Sequence, residues 1–190
     1  LRPQSLEDIV GQDHLVGPDG TLRKMLDAGT LTSLILWGPP GCGKKTMARI
    51  LAHHTDLYFE QISAIFSGVA DLKKVFEAAK FRRQSGRGTL LFVDEIHRFN
   101  KSQQDAFLPV MEDGTITLIG ATTENPSFEV ITPLLSRTRV LVLQPLAKDE
   151  VLKILKRALK LLKQTKNVTP KALDYLAELS GGDARVALGN

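Results

Sequence analysis

Apolar and polar positions divide this chain into two regimes. Up to about residue 145, short apolar runs alternate with stretches of helical spacing; beyond Gln144-Pro145 only helical spacing remains. Leu34–Trp37 is fully apolar and Thr89–Val93 nearly so, as expected of strands buried on both faces of a parallel sheet. Leu57–Ile62 alternates apolar and polar and predicts another strand, and Ile116–Ala121 and Val140–Leu143 predict two more. Helical spacing is predicted over Lys45–His54, from Val69 to about Arg83, over Lys101–Met111, and in a short piece within Pro126–Leu135. Ahead of these, Ser5 is placed to cap Leu6–Val10, and Thr21 a helix through Leu26 that stops at Gly29. The lid-like tail offers Glu150–Lys163, Pro170–Leu179 and Asp183–Leu188. Alternating strands and helices predict a three-layer α/β domain with a parallel sheet over 1–145, then a small helical domain over 146–190, with a hinge near Pro145.

The stretch with the clearest chemistry is Gly38-Pro39-Pro40-Gly41-Cys42-Gly43-Lys44, set between a predicted strand and a predicted helix. In that context a G-x-x-x-x-G-K motif is a phosphate-binding loop. Gly38, Gly41 and Gly43 let the backbone turn tightly and aim its N–H groups at one point. The helix adds its positive end, and Lys44 is placed to reach the β- and γ-phosphates. One position departs from the motif. Ser or Thr is expected after the lysine to hold Mg²⁺; this chain has Lys45, with Thr46 one place later and about 100° further round the helix. An ammonium about 4 Å from a divalent cation is repelled by roughly 8 kcal/mol at an effective dielectric near 20. Bound phosphates offset part of that, so nucleotide capture is expected to survive better than metal-assisted hydrolysis. Cys42, at a variable position of the loop, reads as a space-filler.

Asp94-Glu95 follows an apolar strand directly, and in a parallel sheet that strand ends on the edge where the phosphate loop lies. Asp94 suits Mg²⁺, directly or through water, and Glu95 suits activation of an attacking water. His97 reads as a packing or hydrogen-bonding residue, or as one coupling the site to its neighbours. His14, His53 and His54 have no partners at metal-ligand spacing. Gly120-Ala121-Thr122-Thr123 ends the next strand on the same edge, so a hydroxyl there either touches the γ-phosphate or caps a turn. Arg137 precedes the last strand and Arg185 opens the last helix; each is a surface arginine or a phosphate ligand.

Composition narrows the setting. The 190 residues are 43% hydrophobic and 24% charged, which suits one globular domain plus a smaller appendage. A single Cys excludes an internal disulfide framework and favours a reducing compartment, and no apolar run reaches membrane-spanning length. The chain starts without Met and stops within a helical segment, so it reads as a fragment with further domains expected. The formal net charge is +4, yet Ala147–Asn167 alone carries Lys148, Lys153, Lys156, Arg157, Lys160, Lys163 and Lys166 against Asp149 and Glu150. That basic tract is either a solvated face or a contact for nucleic-acid phosphates. Lys80-Phe81-Arg82-Arg83 is a second basic run.

Taken together, these blocks resemble the clamp-loader branch of the AAA+ ATPases over essentially the whole chain. The resemblance rests on Arg2-Pro3 with Val10-Gly11-Gln12, on Gly38–Lys44, on Ser63-Ala64 with Ser67-Gly68-Val69, on Asp94–Asn100, on Gly120–Phe128 and on Gly182–Arg185. It implies a three-layer P-loop sheet with a helical lid. It implies that Arg2, Pro3 and Val10–Gln12 line an adenine pocket, that Lys44 is the Walker A lysine, and that Asp94 and Glu95 are Walker B. Thr123 resembles sensor 1, Arg137 an arginine finger and Arg185 sensor 2; Ser63 resembles the residue that links DNA occupancy to the catalytic Glu. The implied cofactors are ATP and Mg²⁺. The implied setting is the bacterial cytoplasm, in association with the nucleoid. There a homo-oligomer, joined through a C-terminal region absent from this chain, would act on single- and double-stranded DNA junctions or gaps at stalled replication forks, beside proteins such as single-strand binding protein. A clamp-loader subunit or a Holliday-junction motor is the alternative within the family; a nucleotide-binding switch that hydrolyses weakly is the alternative outside it.

Overall fold

A computed structural model describes residues 3–164 and 168–189. Strands β1 (Leu34–Trp37), β2 (Tyr58–Ser63), β3 (Thr89–Asp94), β4 (Ile116–Thr122) and β5 (Arg139–Val142) form one sheet in the order β2-β3-β4-β1-β5. Every pairing is parallel: Leu34 lies beside Ile119 and Arg139, and Ser63 beside Asp94. All the strands therefore finish on one edge. The two strands on which the phosphate loop and the acid pair sit, β1 and β3, are separated only by β4.

Side chains alternate across each strand, and the two faces bury different partners. On one face Leu34, Leu36, Leu90, Phe92, Ile119 and Ala121 pack with α1 (Asp13–Val16), α2 (Thr21–Asp27) and α3 (Lys44–His54), through residues such as Leu15, Leu22, Met47 and Leu51. On the other, Ile35, Leu91, Val93 and Leu118 pack with Leu72 and Ala79 of α4 (Val69–Gln84) and with Phe107 and Val110 of α6 (Phe107–Glu112). Burying each of these large side chains contributes roughly 1.5–3 kcal/mol, so a strand with no exposed face is held from both sides. Leu146, Val151, Leu155, Leu173, Ala177 and Ala187 form a separate cluster among α9 (Lys148–Leu161), α10 (Pro170–Leu179) and α11 (Ala184–Gly189).

Several boundaries differ from the expectation for local reasons. The predicted helix Leu6–Val10 shrinks to a 3-10 turn, Leu6–Asp8, closed by a capping box between Ser5 and Asp8. Gly20, not Thr21, is the N-cap of α2, and Thr21 is its first helical residue. The single helix expected over Lys101–Met111 is two, α5 (Lys101–Asp105) and α6. Pro109 has no N–H to return to the carbonyl of Asp105, which is where the first piece stops. The loop before β5 holds two short helices, α7 (Pro126–Glu129) and α8 (Thr132–Leu135), where one was expected. Helix α9 begins two residues early and ends at Leu161, with Lys163 in a left-handed conformation, φ 57°.

Candidate nucleotide site

A cleft of about 410 Å³ opens at the carboxyl edge of the sheet, between the α/β layer and helices α9 and α11. Its floor is Pro40 to Thr46, which includes Gly41, Cys42, Gly43, Lys44 and Lys45; Asp94 and Glu95 form one side. Pro3, Asp8, Ile9 and Val10 come from the N-terminal segment, and Leu146, Ile154, Arg157, Ala184, Arg185 and Leu188 from the helical tail. The lining carries four cations, Lys44, Lys45, Arg157 and Arg185, against three carboxylates, Asp8, Asp94 and Glu95. That balance suits a polyanion better than a neutral ligand.

Local geometry shows how the loop is held. Gly41 has φ +73° and approaches the tail so closely that a Cβ there would lie 1.8 Å from Asp183 Oδ1. Gly43, at φ +103°, is the left-handed N-cap of α3, which directs the first N–H groups of that helix toward the cleft. Lys44 is buried, and its Nζ donates to the carbonyls of Gly38 at 2.7 Å and Pro39 at 2.9 Å. Gly38 N–H in turn donates to Thr122 O, which joins the loop to the end of β4. The Cys42 thiol is buried and contacts Pro39 O; burial pushes its pKa up, so it sits there as a thiol rather than a thiolate.

Asp94 is the last residue of β3. Glu95 follows in the left-handed region, φ 54° and ψ 47°, a conformation that costs a non-glycine residue of order 1–3 kcal/mol and turns the chain sharply away from the strand. Its Oε2 accepts from Thr123 Oγ1 at 3.4 Å and lies 3.3 Å from His97 Nε2. His97 Nδ1 is 2.9 Å from Thr122 Oγ1. Gly120 makes room for this turn: a Cβ on it would meet the Ile96 side chain at 2.8 Å. Ser63 lies beside Asp94 in the sheet, but the side chains at the Glu95 carboxylate are His97 and Thr123.

Other candidates fall elsewhere. Gln12 is fully buried, and its amide pairs with the backbone of Gln144: Nε2 donates to Gln144 O at 2.8 Å, and Oε1 accepts from Gln144 N at 3.0 Å. It fastens the N-terminal segment to the exit of β5 rather than lining the cleft. Gly11, φ +81°, packs against Leu146 and Glu150. Arg2 lies outside the described residues, as does Lys166. Arg137 is far from the loop. It precedes β5, whose first residue hydrogen-bonds Ser33 at the amino edge of the sheet, and it pairs with Glu112. Arg185 lines the cleft and contacts Asp183.

Of the cleft lining, sequence reasoning missed Asp8, Ile9, Leu146, Ile154, Arg157 and Leu188. Arg157 Nη1 donates to Asp8 O at 2.8 Å and so links α9 to the N-terminal segment at the cleft. The signal was present only as part of the basic tract. Of that tract, Lys148 is engaged by Asp174 and Glu178, whereas Lys153, Lys156 and Lys160 are exposed on α9.

Among the residues lining the cleft, Asp8, Asp94 and Glu95 carry carboxylates and Thr46 a hydroxyl; Asp94, at the end of β3, and Thr46, in the first turn of α3, are the two that flank the phosphate loop. No group of three or more His, Cys, Asp or Glu side chains able to hold a metal occurs among the described residues. One or two protein oxygens, with phosphate and water supplying the rest, is the pattern Mg²⁺ adopts beside a nucleotide, so the donors fit that ion, with Lys45 as the discordant neighbour. No helix among the described residues is long and apolar enough to cross a membrane.

The chain is similar to known proteins over nearly its whole length. The replication-associated recombination protein A of Haemophilus influenzae is 50% identical over 193 residues, covering 99% of this chain and 43% of that protein. The protein of the same name from Escherichia coli K12 is 48% identical, and the ATPase WRNIP1 of Dictyostelium discoideum 45%, with 22% of the latter covered. The chain thus spans less than half the length of these relatives. A Thermotoga maritima RuvB Holliday junction branch migration motor superposes with a TM-score of 0.81 at 31% identity, over 99% of this chain and 63% of that one. Residues 34–146, from the first residue of β1 to Leu146 in the cleft, match the ATPase family associated with various cellular activities, and this chain belongs to that AAA family.

Proposed function

We propose that the chain is the nucleotide-binding part of a DNA-stimulated ATPase that acts at stalled replication forks and in recombination and repair. The observation that carries the ATPase reading is the convergence of Lys44, Asp94 and Glu95 in one cleft at one sheet edge. Adenine is assigned to the pocket formed by Pro3, Val10 and the apolar side chains of Ile154 and Leu188. The triphosphate is assigned to the N–H groups of Gly41–Lys44, with the Lys44 ammonium exchanging its loop carbonyls for phosphate oxygens. Mg²⁺, when bound by Asp94 and Thr46, would neutralise charge on the phosphate oxygens. Glu95 takes the proton of the attacking water, and Thr123 and Arg185 complete the site as sensors. Arg137, at the opposite edge, is assigned to the site of a neighbouring copy in a homo-oligomer. The names of the relatives, together with the exposed lysines of α9, support DNA as the partner.

The full-length protein should hydrolyse ATP, faster with gapped or forked DNA, and Lys44→Ala should abolish hydrolysis. No turnover with such DNA present would overturn the reading. Lys45 favours a second reading, a nucleotide switch with slow turnover, because its side chain shares the cleft with Lys44. On that reading Lys45→Thr raises turnover many-fold, and ATP binds nearly as well with a chelator as with Mg²⁺.

A further inference from the structure

We propose that His97 is a positioning residue for Glu95: it holds one oxygen of that carboxylate so that the other faces the water. This rests on the ATPase reading above. The His97 side chain is only 6% exposed, and both ring nitrogens are engaged, Nε2 by Glu95 Oε2 and Nδ1 by Thr122 Oγ1. Thr122, itself fully buried, accepts from Glu124 N–H at 3.0 Å and has Glu124 O at 3.1 Å.

This chain of contacts has two proton settings. A threonine hydroxyl has a single proton to give. When it goes to Nδ1, the ring is neutral and its remaining hydrogen is on Nε2. When it goes to Glu124 O, Nδ1 is instead the donor to Thr122. In the first setting the hydrogen on Nε2 faces Glu95 Oε2 across the 3.3 Å contact.

Glu95 needs such a holder. Its left-handed backbone sets where the side chain starts, but the last torsion of a glutamate is broad. His97 and Thr123 both address Oε2, and Oε1 has no hydrogen-bond partner among the described residues. The Thr123 hydroxyl at 3.4 Å and the His97 ring at 3.3 Å both lie against Oε2, which narrows the range of that last torsion and leaves Oε1 as the basic atom. A base displaced by about 1 Å from its water loses on the order of 10²-fold in rate.

Two substitutions separate positioning from packing. His97→Gln keeps an N–H where Nε2 stands; His97→Asn keeps one where Nδ1 stands and loses the reach to Glu95. In full-length protein with forked DNA, His97→Asn should lower kcat by roughly 10–100-fold with KM and the affinity for a fluorescent ADP analogue within about two-fold of wild type. His97→Gln should recover most of kcat, and both variants should unfold at the wild-type temperature. Equal kcat in the two variants, whether high or low, would overturn the proposal while leaving the ATPase reading intact. A kcat loss that tracks a lowered unfolding temperature would also overturn it, as would a rise in KM alone. A wild-type protein that hydrolyses no ATP would sink the ATPase reading, and this proposal with it.

Discussion

Gln12 gives the sharpest division between a ligand-facing residue and a structural one. Its amide makes two hydrogen bonds to the backbone of Gln144, 132 positions away, from a side chain with no solvent exposure. Gln12→Leu keeps most of the volume and removes both bonds. It also strands the N–H and C=O of Gln144. A stranded buried group costs about 1–3 kcal/mol. Gln144 is otherwise exposed, so water can partly repair the loss, and the expected destabilisation is about 2–4 kcal/mol in total. With a urea slope of about 2 kcal/mol/M, the midpoint should fall by about 1–2 M. Urea titration followed by far-UV circular dichroism, with and without saturating nucleotide, reads this directly. Nucleotide should restore part of the loss, because the native cleft still forms. A midpoint shift under about 0.3 M together with a hundredfold loss of nucleotide affinity would refute the reasoning and put the amide on the ligand.

Gly41→Ala should be tolerated poorly. The left-handed φ costs about 1–2 kcal/mol for any L side chain, and the new methyl would press on Asp183, so calorimetry should show a lower unfolding temperature and nucleotide titration a weaker affinity. Glu7 is held down to a pKa of about 2, first by a backbone hydrogen bond and then by Arg23. A depressed carboxyl contributes stability above its ordinary value of 4.5 and loses that contribution as pH falls toward 2, so Glu7→Gln should flatten the pH dependence of unfolding between those limits. Cys42, buried with a raised pKa, should react with iodoacetamide at pH 7 far more slowly than free cysteine; labelling at the free rate would mean that the loop opens.

The inner strands β1, β3 and β4 are legible because burial on both faces leaves a nearly continuous apolar run, whereas the edge strand β2 shows only as alternation. Leu34–Trp37 was read to the residue, and β3 and β4 each extend one residue further, to Asp94 and Thr122. Those added residues are polar, which is why periodicity stopped short of them. Helix α1, four residues long, is too short for a 3.6-residue period to show. The parts of the site carried by one continuous stretch, Gly38–Thr46 and Asp94-Glu95, were visible as motifs. Those made by distant contacts were not. The family resemblance places Gln12 in the adenine pocket with Val10, and nothing local reveals its amide bonds to Gln144. Arg157 looked like one cation among many, since its bond to Asp8 joins positions 149 residues apart.

Arg137 stands at the amino edge of the sheet and the phosphate loop at the carboxyl edge, with the four residues of β1 between them, about 13 Å of strand. A molecule built this way has a head and a tail. On the role proposed for Arg137, contact between copies must set unlike surfaces together. Such a contact repeats until it closes into a ring or runs on as a helix, whereas a two-fold pair would need both edges of the sheet to share one self-complementary patch.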